Sequence, residues 1–203
     1  ATEPRIELYI DQDQLVREGL IGANFGIKSG QVKVEDDWVL IPLPSPIPWV
    51  GAHPGFKPTP FDLVASTKSE LTSKNGPSLF AVGNAQPLGK NQACLSRQGP
   101  YKPFELSEKD ISRHSRNNGQ SPNSYAGETV GVDSDALPGN SGTPYFSLEG
   151  NKLQLRGITS GVSDTLDDYS PKVVQGIRRH TSITLISEDI VKAYKRALEL
   201  GAR

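Results

Sequence analysis

Glycine and proline interrupt this chain throughout its length and limit how much regular helix it can form. The 203 residues include 20 Gly and 16 Pro, which destabilise helix interiors and are common at turns. The apolar residues between them fall in short runs, several of which alternate with polar residues as in half-buried strands. We therefore predict an all-β fold of short strands with little helix.

Strands are predicted at several places along the chain. A hairpin is expected over 21–34 with Ser29-Gly30 at its turn, and a buried strand over Trp38–Ile41, where Pro42 ends the apolar run. Further strands are predicted within 61–65, 80–84, 125–132, 144–148, 153–158, 173–174 and 183–185. Residues 6–20 suggest a short strand or a turn of helix, and the polar stretch 101–124 contains a predicted loop over 117–123.

One helix is predicted, at the C-terminal end. Ser187 is a suitable N-cap, acidic residues follow it in the first turn, and Gly201 is expected to end the helix. The apolar residues that recur on one side of it are Ile190, Val191, Tyr194, Ala197 and Leu198.

Charge and cysteine content exclude several classes of function. The 22 basic and 23 acidic residues nearly cancel, so net charge predicts neither a nucleic-acid groove nor a membrane-surface patch. Cys94 is the only cysteine, so we expect no intrachain disulfide. No apolar run approaches the length of a membrane-spanning helix, and three scattered histidines with one cysteine offer no metal-site spacing.

The most specific functional signal lies between Asp133 and Phe146. Ser141 is preceded by Gly139-Asn140 and followed by Gly142-Thr143-Pro144, a pattern that predicts a tight loop exposing one hydroxyl. Gly139 can turn its amide toward the same position as the amide of Ser141, and two N–H donors about 3 Å from a developing negative oxygen form an oxyanion hole. The alternative interpretation is a plain turn rich in Gly, Asn and Ser.

The run Gly139-Asn140-Ser141-Gly142-Thr143-Pro144 resembles the nucleophile loop of the trypsin-like serine proteases, whose pattern is Gly-Asp/Asn-Ser-Gly-small-Pro. The resemblance implies the chymotrypsin fold, which consists of two six-stranded antiparallel β-barrels and a C-terminal helix. It implies an N-terminal barrel with an entry segment over 1–100 and a C-terminal barrel with the helix over 101–203. Together these would form one protease domain.

The same resemblance implies a catalytic histidine and an aspartate. Trp38-Val39-Leu40 resembles the strand that leads to the histidine but brings Pro44 to its place, whereas the stretch from Trp49 ends in His53. The segment Phe61–Ala65 resembles the family's aspartate segment and contains Asp62. The order His53, Asp62, Ser141 is that of the family.

Only nine residues separate His53 from Asp62, which leaves little room for the two strands expected between them. Three alternatives remain open: the first barrel is abbreviated, another acid such as Glu70 replaces Asp62, or His53 lies in a surface turn. His114 and His180 are the other candidates for the base. If none of the histidines reaches Ser141, the chain is an inactive relative.

The resemblance also implies substrate-binding positions. Asp135 lies six residues before Ser141, at the base of the family's primary specificity pocket, where it would favour a basic side chain; a solvated turn aspartate is the alternative. The segment Leu155–Gly161 resembles the strand that lines the substrate cleft, which assigns Ser160 and Gly161 to substrate binding. Asn140 stands where animal enzymes carry Asp, so activation by an ion pair to a freed N-terminus is not expected.

These observations predict a serine endopeptidase with a polypeptide substrate and no metal, organic cofactor, nucleic acid or membrane partner. The chain begins at Ala1 and contains no Met, which we interpret as a sign of a processed product. With no disulfides expected, a viral polyprotein protease acting in the host cytoplasm is favoured over a bacterial enzyme. The alternative is a catalytically inactive trypsin-like fold that serves as a binding or structural module.

Overall fold

The structure is a computed structural model that describes residues 11–22, 34–42, 61–85, 94–118, 127–134, 141–162 and 180–200. These residues form one mostly antiparallel sheet, curled into a half-barrel, and a short C-terminal helix. The strands are β1 (Phe61–Leu63), β2 (Leu79–Ala85), β3 (Cys94–Tyr101), β4 (Phe104–Glu105), β5 (Thr129–Val132), β6 (Pro144–Glu149), β7 (Lys152–Val162) and β8 (Thr181–Leu185). The helices are α1 (Gln12–Arg17), α2 (Lys68–Thr72), α3 (Glu108–Asn118) and α4 (Glu188–Glu199), with a 3-10 turn at Val34–Asp36.

The sheet is organised around β7, its longest strand. The order along the sheet is β3-β2-β6-β7-β8-β5-β4, and β1 adds to the first half of β7 in parallel. β6 and β7 form the predicted hairpin, with Gly150 and Asn151 between them and Glu149 opposite Lys152. Register shifts at Tyr145/Phe146 in β6 and at Thr159/Gly161 in β7 mark bulges, which increase the local twist and bend a sheet.

The main core lies on one face of the sheet and is closed by α2. Its buried side chains are Leu71, Leu79, Ala81, Val130, Val132, Tyr145, Ile183 and Leu185. β5 and β8 are buried along their whole length. Because strands buried on both faces are held by packing on either side, β8 provides a rigid support for the neighbouring end of β7.

A second, smaller core joins the N-terminal segment to α4. Leu15 and Leu20 pack against Ala193 and Ala197, and Ile21, Trp38 and Leu40 border them. The predicted N-cap is confirmed, because Ser187 Oγ accepts a hydrogen bond from the Ile190 N–H at 3.3 Å.

The structure corrects three sequence predictions. Trp38–Ile41 is not a buried strand: Val39 makes only an isolated bridge to Ile21, and Val39 and Ile41 are exposed. The buried face of α4 passes through Ala193, whereas Tyr194 and Leu198, assigned to that face from the sequence, are exposed.

The third correction concerns the polar stretch 101–124, which contains helix α3. The side chains of Ser107 and Asp110 form a reciprocal cap: Ser107 N–H donates to Asp110 Oδ2 at 2.9 Å, and Asp110 N–H donates to Ser107 Oγ at 3.2 Å. This is a capping box with Asp in the place of Glu. His114, one of the candidates for the base, belongs to this helix.

Candidate functional site

Ser141 lies in an exposed turn that leads directly into β6. Gly142 follows at φ +80°, in the left-handed region that favours glycine. The N–H of Gly142 donates to the Thr159 carbonyl at 2.9 Å, and the N–H of Thr159 donates to the Thr143 carbonyl at 2.9 Å. The turn is therefore fixed to β7 immediately before Ser160.

Ser160 and Gly161 contact Ser182 of β8. Ser182 Oγ donates to the Gly161 carbonyl at 3.2 Å and lies 3.3 Å from Ser160 Oγ. Ser160 is half-buried, and Ser182 is fully buried. The structure thus brings three predicted site residues, Ser141, Ser160 and Gly161, to the same part of β7.

Three buried hydroxyls, one of them near the start of β6, are joined by hydrogen bonds. Ser134 Oγ is 2.9 Å from Tyr145 Oη and 2.7 Å from Thr181 Oγ1, and Thr181 Oγ1 donates to the Ser134 carbonyl at 3.1 Å. Ser134, Tyr145 and Thr181 are at most 5% exposed. Sequence reasoning did not identify this hydroxyl cluster, because its members are ordinary strand residues and Thr181 is 47 positions from Ser134.

Asp62 is not brought to Ser141. It is an exposed residue of β1, opposite Gln154 of β7. The turn of Ser141 contacts β7 at Thr159, five residues further along that strand, which corresponds to roughly 16 Å at about 3.3 Å per residue. The register therefore separates the predicted acid from the predicted nucleophile.

Glu70, the alternative acid, is paired with a buried arginine. Its Oε1 accepts from Arg156 Nη1 at 3.3 Å. Arg156 also donates to Ser147 Oγ at 2.8 Å, Ser66 Oγ at 3.2 Å and Gln154 Oε1 at 2.5 Å. Glu70 therefore serves as the counter-charge of this buried cation.

Of the three histidines, His180 is the one whose side chain the structure describes. It is 1% exposed and directs its ring edge-to-face against Phe104, with 5.6 Å between the ring centres. No hydrogen bond joins it to Ser141 within the described part of the chain. His114 lies on α3, and His53, Gly139 and Asp135 lie outside the described residues.

Two cavities border α4, and Ser141 lines neither of them. One, of about 500 Å³, is apolar and lies between Trp38, Phe61, Leu155, Ile158 and Tyr194; the other, of about 400 Å³, is lined by charged residues such as Glu18, Asp36 and Arg196. Among the described residues, no group of His, Cys, Asp or Glu side chains could hold a metal ion. None of the helices in those ranges is long and apolar enough to cross a membrane.

Comparison with known proteins leaves the family open. No protein-family model matches this chain, and no curated protein sequence matches it. The chemistry of the site therefore has to be argued from its own residues. An exposed serine hydroxyl on a turn fixed to a sheet can act as a nucleophile when a base removes its proton.

Proposed function

We propose that this chain is a serine endopeptidase that hydrolyses peptide bonds through an acyl-enzyme on Ser141. The observation that carries the proposal is the placement of the Ser141 turn, exposed and held by two backbone hydrogen bonds to Thr159, next to Ser160 and Gly161. A peptide lying along that end of β7 would have its carbonyl carbon close to the Ser141 hydroxyl. The proposal includes the chymotrypsin fold, with one β-barrel over 1–100 and a second β-barrel with the C-terminal helix over 101–203.

The proposed reaction is acyl transfer in two steps. His53 takes the proton from Ser141 Oγ as the oxygen attacks the peptide carbonyl, and returns it to the leaving amine. The amides of Gly139 and Ser141 stabilise the negative oxygen of each tetrahedral intermediate. Water then hydrolyses the ester by the same proton transfers, which releases the acid product and regenerates the serine.

Specificity and the orienting acid are also part of the proposal. Asp135 would pair with a basic side chain on the acyl side of the cleaved bond. Asp62 would orient the histidine, although the register of β1 places it away from Ser141. The variants Asp62→Asn and Glu70→Gln test which carboxylate has this role. The variant that loses the orienting acid is expected to show a lower kcat at unchanged KM.

Labelling with a fluorophosphonate probe tests the proposal directly. The purified chain is expected to react stoichiometrically at Ser141, and Ser141→Ala is expected to abolish labelling. Exposed Ser73→Ala is the matched control and should label like the original chain. Alanine variants of His53, His114 and His180 then identify the base, since its loss should lower the labelling rate by about 10²-fold or more.

The second candidate function is an inactive trypsin-like fold used as a binding or structural module. The separation of Asp62 from the Ser141 turn along β7 favours it, because a hydroxyl without an oriented base is a poor nucleophile. A folded sample that gives no labelling at Ser141 over the pH range 6–9 would support this function and contradict the first.

A further inference from the structure

We propose that Tyr145 and Thr181 are positioning residues, which hold the Ser141 turn through the buried hydroxyl of Ser134. This inference rests on the proposed function, since the turn is taken to carry the nucleophile. The cluster is defined by Ser134, Tyr145 and Thr181, which are all buried, and the Ser134 hydroxyl is hydrogen-bonded to each of the other two.

The direction of each hydrogen bond follows from the number of protons available. A hydroxyl has one proton to donate and can accept twice. Thr181 donates to the Ser134 carbonyl and Ser134 Oγ donates to Thr181 Oγ1. Tyr145 must therefore donate to Ser134 Oγ, and the three form one continuous chain whose members polarise one another.

The three hydrogen-bonded hydroxyls are connected to Ser141 through the sequence. Ser134 comes directly before the ten-residue segment 135–144, and Tyr145 comes directly after it. The 2.9 Å contact between their side chains joins the two residues that flank that segment, and the bond to Thr181 ties Ser134 to buried β8. Within the same segment, the two Thr159 backbone hydrogen bonds hold Gly142 and Thr143.

The arrangement can position the nucleophile without touching substrate. Closing a loop at its base reduces the conformations available to the residues within it, and a displacement of about 1 Å at a reacting group can lower a rate by about 10²-fold. Ser141 lies seven residues after Ser134 and four before Tyr145, so loosening the base of the loop would move it.

Two variants remove one hydroxyl each while preserving shape: Tyr145→Phe and Thr181→Val. Each has a matched control. Tyr101→Phe removes a hydroxyl that bonds Gln98 at 3.1 Å, from a ring 6.4 Å from that of Tyr145. Thr129→Val removes a buried hydroxyl that finds no hydrogen-bond partner among the described residues.

The experiment compares hydrogen exchange of the Gly142 amide with the fluorophosphonate labelling rate and thermal stability. Exchange is expected to quicken in Tyr145→Phe and Thr181→Val, and labelling to slow by about ten-fold or more, with kcat lowered at unchanged KM on a peptide ester. The two controls are expected to behave like the original chain, and Thr181→Ser, which keeps a hydroxyl, is expected to restore labelling.

The outcomes separate this inference from the proposed function. Unchanged Gly142 exchange in Tyr145→Phe overturns the inference, as do equal losses of labelling in Tyr145→Phe and Tyr101→Phe. If Thr181→Val fails to fold, Tyr145→Phe decides. An original chain that is not labelled, with Gly142 exchange nevertheless faster in the two variants, overturns the proposed function and leaves the anchoring of the turn in place.

Discussion

Arg156 carries a positive charge into the interior of the sheet, where its side chain is 8% exposed. A buried charge is stable only when acceptors surround it. Its guanidinium donates to four oxygens, one of them the carboxylate of Glu70 and the others neutral. Because these oxygens belong to β6, β7, α2 and the segment before α2, one side chain joins four parts of the chain.

Replacing Arg156 by Met is expected to lower the free energy of unfolding by about 2–3 kcal/mol, because several buried oxygens lose their donor. Glu70→Gln is expected to cost less, about 1 kcal/mol or below, because Gln keeps an acceptor oxygen and the Glu70 side chain is half exposed. Urea unfolding of both variants measures the difference. An Arg156→Met protein as stable as Glu70→Gln would show that the network contributes little.

At the scale of elements, single side chains determine where the helices begin. Asp11 Oδ1 accepts from the Gln14 N–H, Thr67 Oγ1 from the Glu70 N–H and Ser187 Oγ from the Ile190 N–H, at 3.1, 3.2 and 3.3 Å. α4 follows the last core strand after a two-residue connection. Its start is therefore coupled to the position of β8.

Ser187→Ala is expected to lower the free energy of unfolding by about 1 kcal/mol, because the Ile190 N–H loses its acceptor. Ser187→Asn should retain most of the stability, since Asn caps nearly as well. The control is Ser112→Ala on the exposed side of α3, where Ala, the better helix former, should leave stability equal or slightly higher. Thermal unfolding followed by circular dichroism compares the three; equal effects at the two serines would contradict the capping role.

At the scale of the whole molecule, sequence reasoning identified what is determined locally. The β6–β7 hairpin and the start of α4 depend on residues a few positions apart, and both were predicted. The parallel pairing of Phe61 with Leu153 and the packing of Leu20 on Ala193 join distant parts of the chain, which no local pattern indicates. For the same reason the turn of Ser141 was predicted, whereas the hydrogen bond between Ser134 and Thr181 was not.

An ion pair joins the N-terminal segment to α4 beside the second core. Arg196 bonds Glu18 at 3.0 Å across 178 positions, and its hydrogen bonds to Glu18 and Glu199 raise the pKa of the arginine. Because this ion pair is partly exposed, we expect it to stabilise the fold less than the packing of Leu20 on Ala193 and Ala197 does.

Leu20→Ala should therefore lower the free energy of unfolding by about 2–4 kcal/mol, whereas Leu200→Ala, at an exposed position after α4, should change it by less than about 0.5 kcal/mol.

Trp38 borders the second core, and in a Trp49→Phe background its fluorescence reports on that region alone. If the two cores form one cooperative unit, fluorescence and far-ultraviolet circular dichroism will shift together in Leu20→Ala. A fluorescence transition that moves alone to lower temperature would show that the N-terminal segment unfolds from α4 while the sheet, and with it the support of Ser141, stays folded.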